Sequence, residues 1–176
     1  MTMNNCWLKD DTMTLRAPEP EDLELMYAME NDTTLWSAGN ATLPYSRYTL
    51  RAYLEQSRQD LMTERQARFV IELSGGECVG MVDLADYDPI NGRAEVCIGL
   101  LGVYREKGIA SRALQLLCSY AHERLHLHQL YAYVPAWNDA SIRLFEKTGF
   151  VCTVVLKEWM RTKEGFCDVI IMQKML

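Results

Sequence analysis

The stretch from Arg93 to Arg124, RAEVCIGLLGVYREKGIASRALQLLCSYAHER, constrains the chain more than any other. It reads as a buried strand, a short polar loop and an amphipathic helix. A strand feeding directly into a helix sets free backbone amides and the positive end of a helix dipole at the strand's end, which suits a phosphate. In the loop, Arg105-x-x-Gly108-x-Ala110 supplies the pieces. Glycine at 108 lets the backbone approach an anion because no Cβ intervenes, and Arg105 and Lys107 add positive charge. Behind it, Ala110, Ala113, Leu114, Leu117, Cys118, Ala121 and Leu125 recur at helical spacing and predict one apolar face. Read from its residues, this stretch holds a phosphorylated carrier.

An acid interrupts the strand. Alternation along AEVCIGLL puts Glu95, Cys97 and Gly99 on one face and Val96, Ile98 and Leu100 on the other. A partly buried carboxylate has a raised pKa and suits general-base work near neutral pH. The competing structural role is an ion pair with Arg93 or with a residue across the turn. Both remain open on the sequence.

The rest of the chain frames this unit. Thr12 to Arg16 alternates as a first strand, and Pro18 and Pro20 open a helix through Leu23, Met26 and Tyr27. Asn31 to Tyr45, rich in Asn, Thr, Gly and Pro, is expected to be irregular. Ser46 caps a second helix carried by Leu50, Tyr53, Leu54, Ser57 and Leu61. Ala67 to Leu73 and Cys78 to Ala85 flank Ser74-Gly75-Gly76-Glu77 as a hairpin, and a second turn spans Asp86 to Gly92. Gln129 to Val134 predicts a strand. Asn138 to Thr148 predicts a helix capped by Asn138 and ended by Gly149. Val151 to Trp159 and Phe166 to Met172 close the chain as a hairpin around Thr162 to Gly165. The order β-α-α-β-β-β-α-β-α-β-β predicts an α/β (α+β) fold with a mixed sheet. With 176 residues and no linker or repeat, one domain over residues 1–176 is expected.

Composition removes several classes of function. A formal net charge of −6 argues against nucleic-acid binding, which calls for a basic surface. No apolar run approaches the roughly 20 residues of a membrane span, and MTMNNCWLKDD lacks the pattern of a signal peptide. Six cysteines with no C-x-x-C pair read as reduced thiols in a cytoplasm. One metal motif needs weighing: His122-Glu123-Arg124-Leu125-His126 matches the H-E-x-x-H pattern of zinc peptidases, with Glu146 available as a third ligand. So short a pattern recurs by chance, and the helix is expected to end there.

Three motifs together have a familiar source: Arg105-x-x-Gly108-x-Ala110, Asn138-x-x-Ser141, and the helix ending Glu146-Lys147-Thr148-Gly149-Phe150. With these the chain resembles the GNAT superfamily of acetyl-CoA-dependent N-acetyltransferases. LRAPEPEDLE and the RAE strand are similar to the branch holding ribosomal-protein N-terminal acetyltransferases and bacterial spermidine acetyltransferases. The resemblance implies a mostly antiparallel sheet with helices on both faces, whose fourth and fifth strands splay apart. It implies acetyl-CoA as co-substrate. Arg105, Glu106, Lys107, Gly108, Ile109, Ala110 and Ser111 would bind the pyrophosphate, Ile98, Gly99 and Leu100 would pair with the pantetheine arm, and Asn138 would touch the same molecule. Glu95 becomes the base that frees a primary amine for direct attack on the thioester. Many relatives place a proton-donating tyrosine where this chain has Phe145, so the resemblance moves that role to Ser141. Glu106 stands where many relatives have a second glycine.

The acceptor stays open between a protein N-terminus, a polyamine and another small amine. Polyamine enzymes of this kind carry acids after the first helix, whereas Leu35 to Asn40 has none; Asp83, Asp86 and Asp88 are the nearest candidates. A homodimer is among the options. Phe145 also leaves room for a catalytically weak module that binds acetyl-CoA or another nucleotide and acts through a partner.

Overall fold

Seven strands hydrogen-bond in the order β1-β2-β3-β4-β5-β7-β6 in the computed structural model, which describes residues 7–36, 43–57 and 60–176. The strands are β1 (Met13–Arg16), β2 (Ala67–Leu73), β3 (Cys78–Asp88), β4 (Arg93–Leu100), β5 (Gln129–Pro135), β6 (Val151–Thr162) and β7 (Gly165–Met175). Every neighbouring pair is antiparallel except β4 with β5. That parallel step requires a crossover, and helix α5 (Ile109–Glu123) supplies it. The other helices are α1 (Leu23–Glu30), α2 (Thr33–Trp36), α3 (Arg47–Gln56), α4 (Leu61–Glu64) and α6 (Asp139–Lys147).

Strand alternation divides the apolar residues between two layers. Val82, Leu84, Val96 and Leu100 face α5 and α6, where Ala113, Leu114, Leu117, Ala121 and Phe145 meet them. Met81 faces the other way, into a smaller cluster with Met26 and Met29 of α1 and Leu50 of α3. Helices therefore cover both faces of the sheet, and a cleft runs between the α1–α3 layer and β2–β3. Among the described residues no helix is long and apolar enough to cross a membrane.

Departures from the sequence reading have local causes. The second helix does not run on to Leu61. It stops at Ser57, whose backbone is extended. Asp60 then starts α4 by accepting from the Met62 amide at 3.1 Å. Leu54 and Leu61 share a face in the sequence, but apolar periodicity does not register a side-chain cap that restarts the helix. In the segment expected to be irregular, Asp32 accepts from the Thr34 amide at 2.9 Å and begins the single turn of α2. The turn expected over Asp86 to Gly92 is shorter. β3 continues to Asp88 through a bulge between Ala85 and Asp88, with Asp86 in the left-handed region at φ 46°. The closing hairpin is longer than expected at both ends.

Candidate functional site

The two strands that carry the site are held on their outer sides and open between them. β4 and β5 pair only at Arg93–Gln129, Ala94–Leu130 and Glu95–Tyr131. Beyond that rung β4 stays with β3 as far as Gly80–Leu100, and β5 stays with β7 as far as Pro135–Val169. The inner edges past Glu95 and Tyr131 thus face a V-shaped gap. Main-chain N–H and C=O groups along such an edge need another partner, and an extended chain bearing amides is the natural one.

At the mouth of the gap lies the loop. Glu106 and Gly108 both have positive φ, 61° and 80°. Gly108 is the N-cap of α5 with no side-chain cap, and a Cβ there would meet nothing within 4 Å. The first bond of the helix runs from the Arg112 amide to Gly108 O at 3.1 Å. The amides of Ile109, Ala110 and Ser111 therefore have no acceptor within the helix, and Lys107 is exposed beside them. This cradle fits a diphosphate. The left-handed conformation at 106 also explains why a second glycine would sit easily there: a glutamate must strain to adopt it.

The other residues expected at the carrier are placed as follows. Arg105 is committed elsewhere: its Nε donates to Leu100 O at 3.1 Å and its guanidinium reaches Asp32 at 3.3 Å. It ties the end of β4 to α2, and occupies the carbonyl of one of the three residues expected to pair with the carrier's arm. Ile98 and Gly99 lie in the open stretch, where Gly99 lets α1 approach; a Cβ at 99 would meet Met29 Cε at 3.0 Å. Asn138 caps α6, its Oδ1 accepting from the Ser141 amide at 3.1 Å. Ser141 is half-buried one turn inside that helix, and Phe145 is buried against Phe150 with ring centroids 5.0 Å apart. Phenylalanine offers no proton.

Glu95 sits at the last rung before the gap, half-buried and without an ion-pair partner among the described residues. Arg93 turns instead to Asp88 at 3.3 Å. Burial pushes the Glu95 carboxyl above its ordinary value; the Cys97 thiol, donating across 3.6 Å, pulls it back somewhat, and the like charge of Asp86 pushes it up again. Such a carboxylate can accept a proton near neutral pH.

Next to it, on the same face, is a charged cluster that sequence reasoning missed. Arg68 of β2 pairs side by side with Asp83 of β3, contacting it at 2.8 Å, and reaches Glu30 of α1 at 2.6 Å. The cluster lines a cleft of about 280 Å³ together with Tyr45, Thr49, Tyr53 and Gln66. Among the described residues two carboxylates face one guanidinium in this cleft; burial pushes the Asp83 carboxyl above its ordinary value, and Arg68 pulls it back. Of the three aspartates singled out in the sequence, only Asp83 belongs to it. Asp86 accepts from the Tyr131 hydroxyl at 2.5 Å, and Asp88 closes the turn by accepting from the amides of Ile90 and Asn91. Most of Leu35 to Asn40 falls outside the described residues. Tyr131 and Tyr133 were also missed, although the alternation of QLYAYV places both on the Glu95 side.

The peptidase motif does not form a site. α5 ends at Glu123, and His126 lies beyond the helix with φ 54°. His122 and His126 therefore do not share a helix face, and Glu123 accepts from the Trp7 indole at 2.6 Å. Among the described residues no three His, Cys, Asp or Glu side chains cluster to hold a metal ion.

A family profile described as "Acetyltransferase (GNAT) domain" matches residues 12–151. The chain belongs to the GNAT acetyltransferase family. It is 31% identical over 139 residues to the spermidine N(1)-acetyltransferase of Escherichia coli (strain K12), covering 79% of this chain and 73% of the relative. The crystal structure of spermidine N-acetyltransferase from Vibrio cholerae in complex with CoA and spermine is similar with a TM-score of 0.84 and 27% identity. It covers 94% of this chain and 96% of that one. A dodecameric structure of the Vibrio cholerae enzyme, in an intermediate state, is similar at a TM-score of 0.78 and 26% identity, covering 94% and 95% of the two chains. This protein is an acetyl-CoA-dependent N-acetyltransferase that transfers the acetyl group to an amine. Nothing in the fold or its relatives favours the non-catalytic module or the peptidase.

Proposed function

We propose that the acceptor is a small polycationic amine of the spermidine class, acetylated by direct attack on the thioester with Glu95 as base. The observation that carries this reading is the acidic cleft. Glu30 and Asp83 lie on the Glu95 side of the sheet, with Asp83 opposite Cys97 and Ala85 opposite Glu95 in the β3–β4 register. A chain with several ammonium groups can leave one at Glu30 and Asp83 while another reaches Glu95. Tyrosine rings at 45 and 53 offer the faces that cations favour. The spermidine acetyltransferase relatives support the same class.

In this reading the carrier lies along the open edge of β4. Ile98, Gly99 and Leu100 meet its arm, while the backbone from Arg105 to Ser111, through Glu106, Lys107, Gly108, Ile109 and Ala110, meets its pyrophosphate; Asn138 borders it from α6. Acetyl-CoA supplies the activated acyl carbon. Glu95, directly or through a water, takes the proton from the ammonium, and the freed amine bonds to the acetyl carbon as the carbon–sulfur bond breaks. We also read the protein as cytoplasmic, with Cys78, Cys97, Cys118, Cys152 and Cys167 as free thiols, and as a homo-oligomer. The dodecameric relative supports the oligomer.

A thiol-release assay with acetyl-CoA and a panel of amines tests the acceptor. Spermidine and spermine should give the highest kcat/KM, ahead of a monoamine and of peptides with free N-termini. Glu30→Gln should raise the polyamine KM several-fold with kcat little changed, and added salt should do the same. Preference for a peptide, or a polyamine KM indifferent to both changes, refutes the assignment.

A further inference from the structure

We infer that Tyr133 is the proton donor to the departing sulfur, held in place by Tyr131 and Asp86. The inference rests on the amine-acetylating reading above and adds the second half of the proton path. Three observations lead to it. First, Phe145 has no proton and its ring is buried against Phe150. Secondly, β4 and β5 part immediately after the Glu95–Tyr131 rung. Tyr133 is therefore the first β5 residue beyond the opening whose side chain projects to the Glu95 side, about 7 Å further along the strand than Tyr131. Thirdly, the position is braced. Asp86, turned back by the β3 bulge, accepts the Tyr131 hydroxyl at 2.5 Å. The Tyr133 ring then meets Tyr131 edge to face, with centroids 5.8 Å apart and planes at 89°. Its own hydroxyl has no hydrogen-bond partner among the described residues. One phenol is tied down, and its neighbour is left able to donate.

The competing donors match the task less well. Ser141 is the hydroxyl that the family resemblance points to, but an aliphatic alcohol is a far weaker acid than a thiol, so its proton would move uphill by many units. As a class, phenols are far stronger acids than aliphatic alcohols and stand much nearer to thiols, which is the closer match that general-acid catalysis favours. Cys97 already gives its S–H to Glu95. Tyr133 touches the Tyr131 ring on β5; Glu95 and Cys97 of β4 share its side of the sheet across the opening, and Asp86 of β3 reaches that side at the Tyr131 hydroxyl. β7 presents Ile171 and Gln173 at that level, neither of them charged.

The step balances without any further reagent. As the amine nitrogen bonds to the acetyl carbon, the carbon–sulfur bond breaks and its electron pair stays on sulfur. One ammonium proton passes to Glu95 before attack, the Tyr133 proton passes to the sulfur, and the second proton shed by the acylated nitrogen returns through water to the phenolate. Amide and free thiol are the products.

Tyr133→Phe tests this with two measurements. In steady state at saturating acetyl-CoA, kcat should fall about a hundredfold, the low end for a general acid, with the fall on the alkaline side of the profile abolished and the acidic side kept. Loss of the acidic side belongs to Glu95, so failure of the base assignment and failure of this one are distinguishable. Without any acceptor, the ultraviolet absorbance of the thiolate in enzyme-bound CoA should titrate at higher pH in Tyr133→Phe than in wild type, because a donor to the thiolate favours it. Tyr131→Phe, with the brace cut but the phenol kept, should lose less turnover and retain the alkaline limb. A Tyr133→Phe enzyme within twofold of wild type, or an unmoved thiolate titration, overturns the inference. So does loss of the alkaline limb in Ser141→Ala but not in Tyr133→Phe.

Discussion

Removing the charge at Glu95 should separate catalysis from stability. Glu95→Gln keeps the size and the capacity to accept from Cys97 but cannot take a proton. General-base catalysis contributes about 10² to 10⁴ in rate, equivalent to roughly 3–5 kcal/mol of barrier. The upper part of that range is expected, since among the described residues no cation pairs with this carboxylate: Arg93 is paired with Asp88, and Arg68 with Asp83 and Glu30. Burial pushes its pKa above the ordinary carboxylate value, with Asp86 adding to the shift and Cys97 opposing it. In wild type, kcat should therefore fall as pH drops through that raised value; in Glu95→Gln this acidic limb should be gone. Stability must move the other way. A carboxyl whose folded pKa is raised contributes stability below its unfolded pKa and loses it as pH rises through the folded one. The glutamine variant should thus melt higher than wild type near pH 8, and the difference should shrink as pH falls towards 4. Thiol-release rates and thermal melts across one pH series measure both. An acidic limb that survives in Glu95→Gln refutes the base assignment, and a variant less stable at pH 8 refutes the account of its burial.

Two further outcomes follow from the same physics. Glu106→Gly removes a left-handed non-glycine and a negative charge from the phosphate cradle; calorimetry should show CoA binding several-fold tighter at low salt. Folding stability should change by less than about 1 kcal/mol, because relieved strain is offset by the unfolded-state entropy of glycine. Asp22→Asn should cost about 1.5–3 kcal/mol in denaturant unfolding at pH 7, since it weakens charge-assisted bonds to Arg16, which is 29% exposed and keeps Glu72 as a partner. Burial alone would push the Asp22 carboxyl up, but bonds from Arg16 and from the Glu19 amide outweigh it, leaving the pKa low. Its stability is present above the unfolded value and is lost as pH falls through the folded one, so the variant should lose the corresponding acid sensitivity.

The legible parts of this protein are those written in short-range patterns. The apolar face of α5 was readable from its spacing because a helix repeats within a few residues. Asn138 was readable as a cap because the bond it makes spans three positions. The loop proposed to hold phosphate belongs to the same kind: Gly108 and the start of α5 are adjacent in the chain, and a glycine before a helix exposes amides wherever it lies. The pattern set aside in the sequence was also local. His122 and His126 have metal-ligand spacing, but the helix stops between them, and whether it does is decided by its last bonds rather than by the motif.

Glu95 stands between the two kinds of information. Its residue type and its place in an apolar strand were plain from the sequence, and so was the face it shares with Cys97 and Gly99. Its chemistry was not, because the choice between base and ion pair depended on where Arg93 would turn. Arg68, Asp83 and Glu30 lie on three different elements, and only strand register and the packing of α1 bring their charges into one cleft. Tyr131 meets Asp86 across 45 positions of sequence. The β4–β5 gap itself is a property of four strands at once, since each of the two diverging strands follows its outer neighbour. Sequence alone determined most of the elements, the glycine-capped loop before α5 and a lone strand acid, all set by interactions among near neighbours. The gap, the charge of the cleft and the phenols beside the acid were decided by tertiary structure, because long-range pairing sets which side chains share a face and which backbone edges are left without a partner.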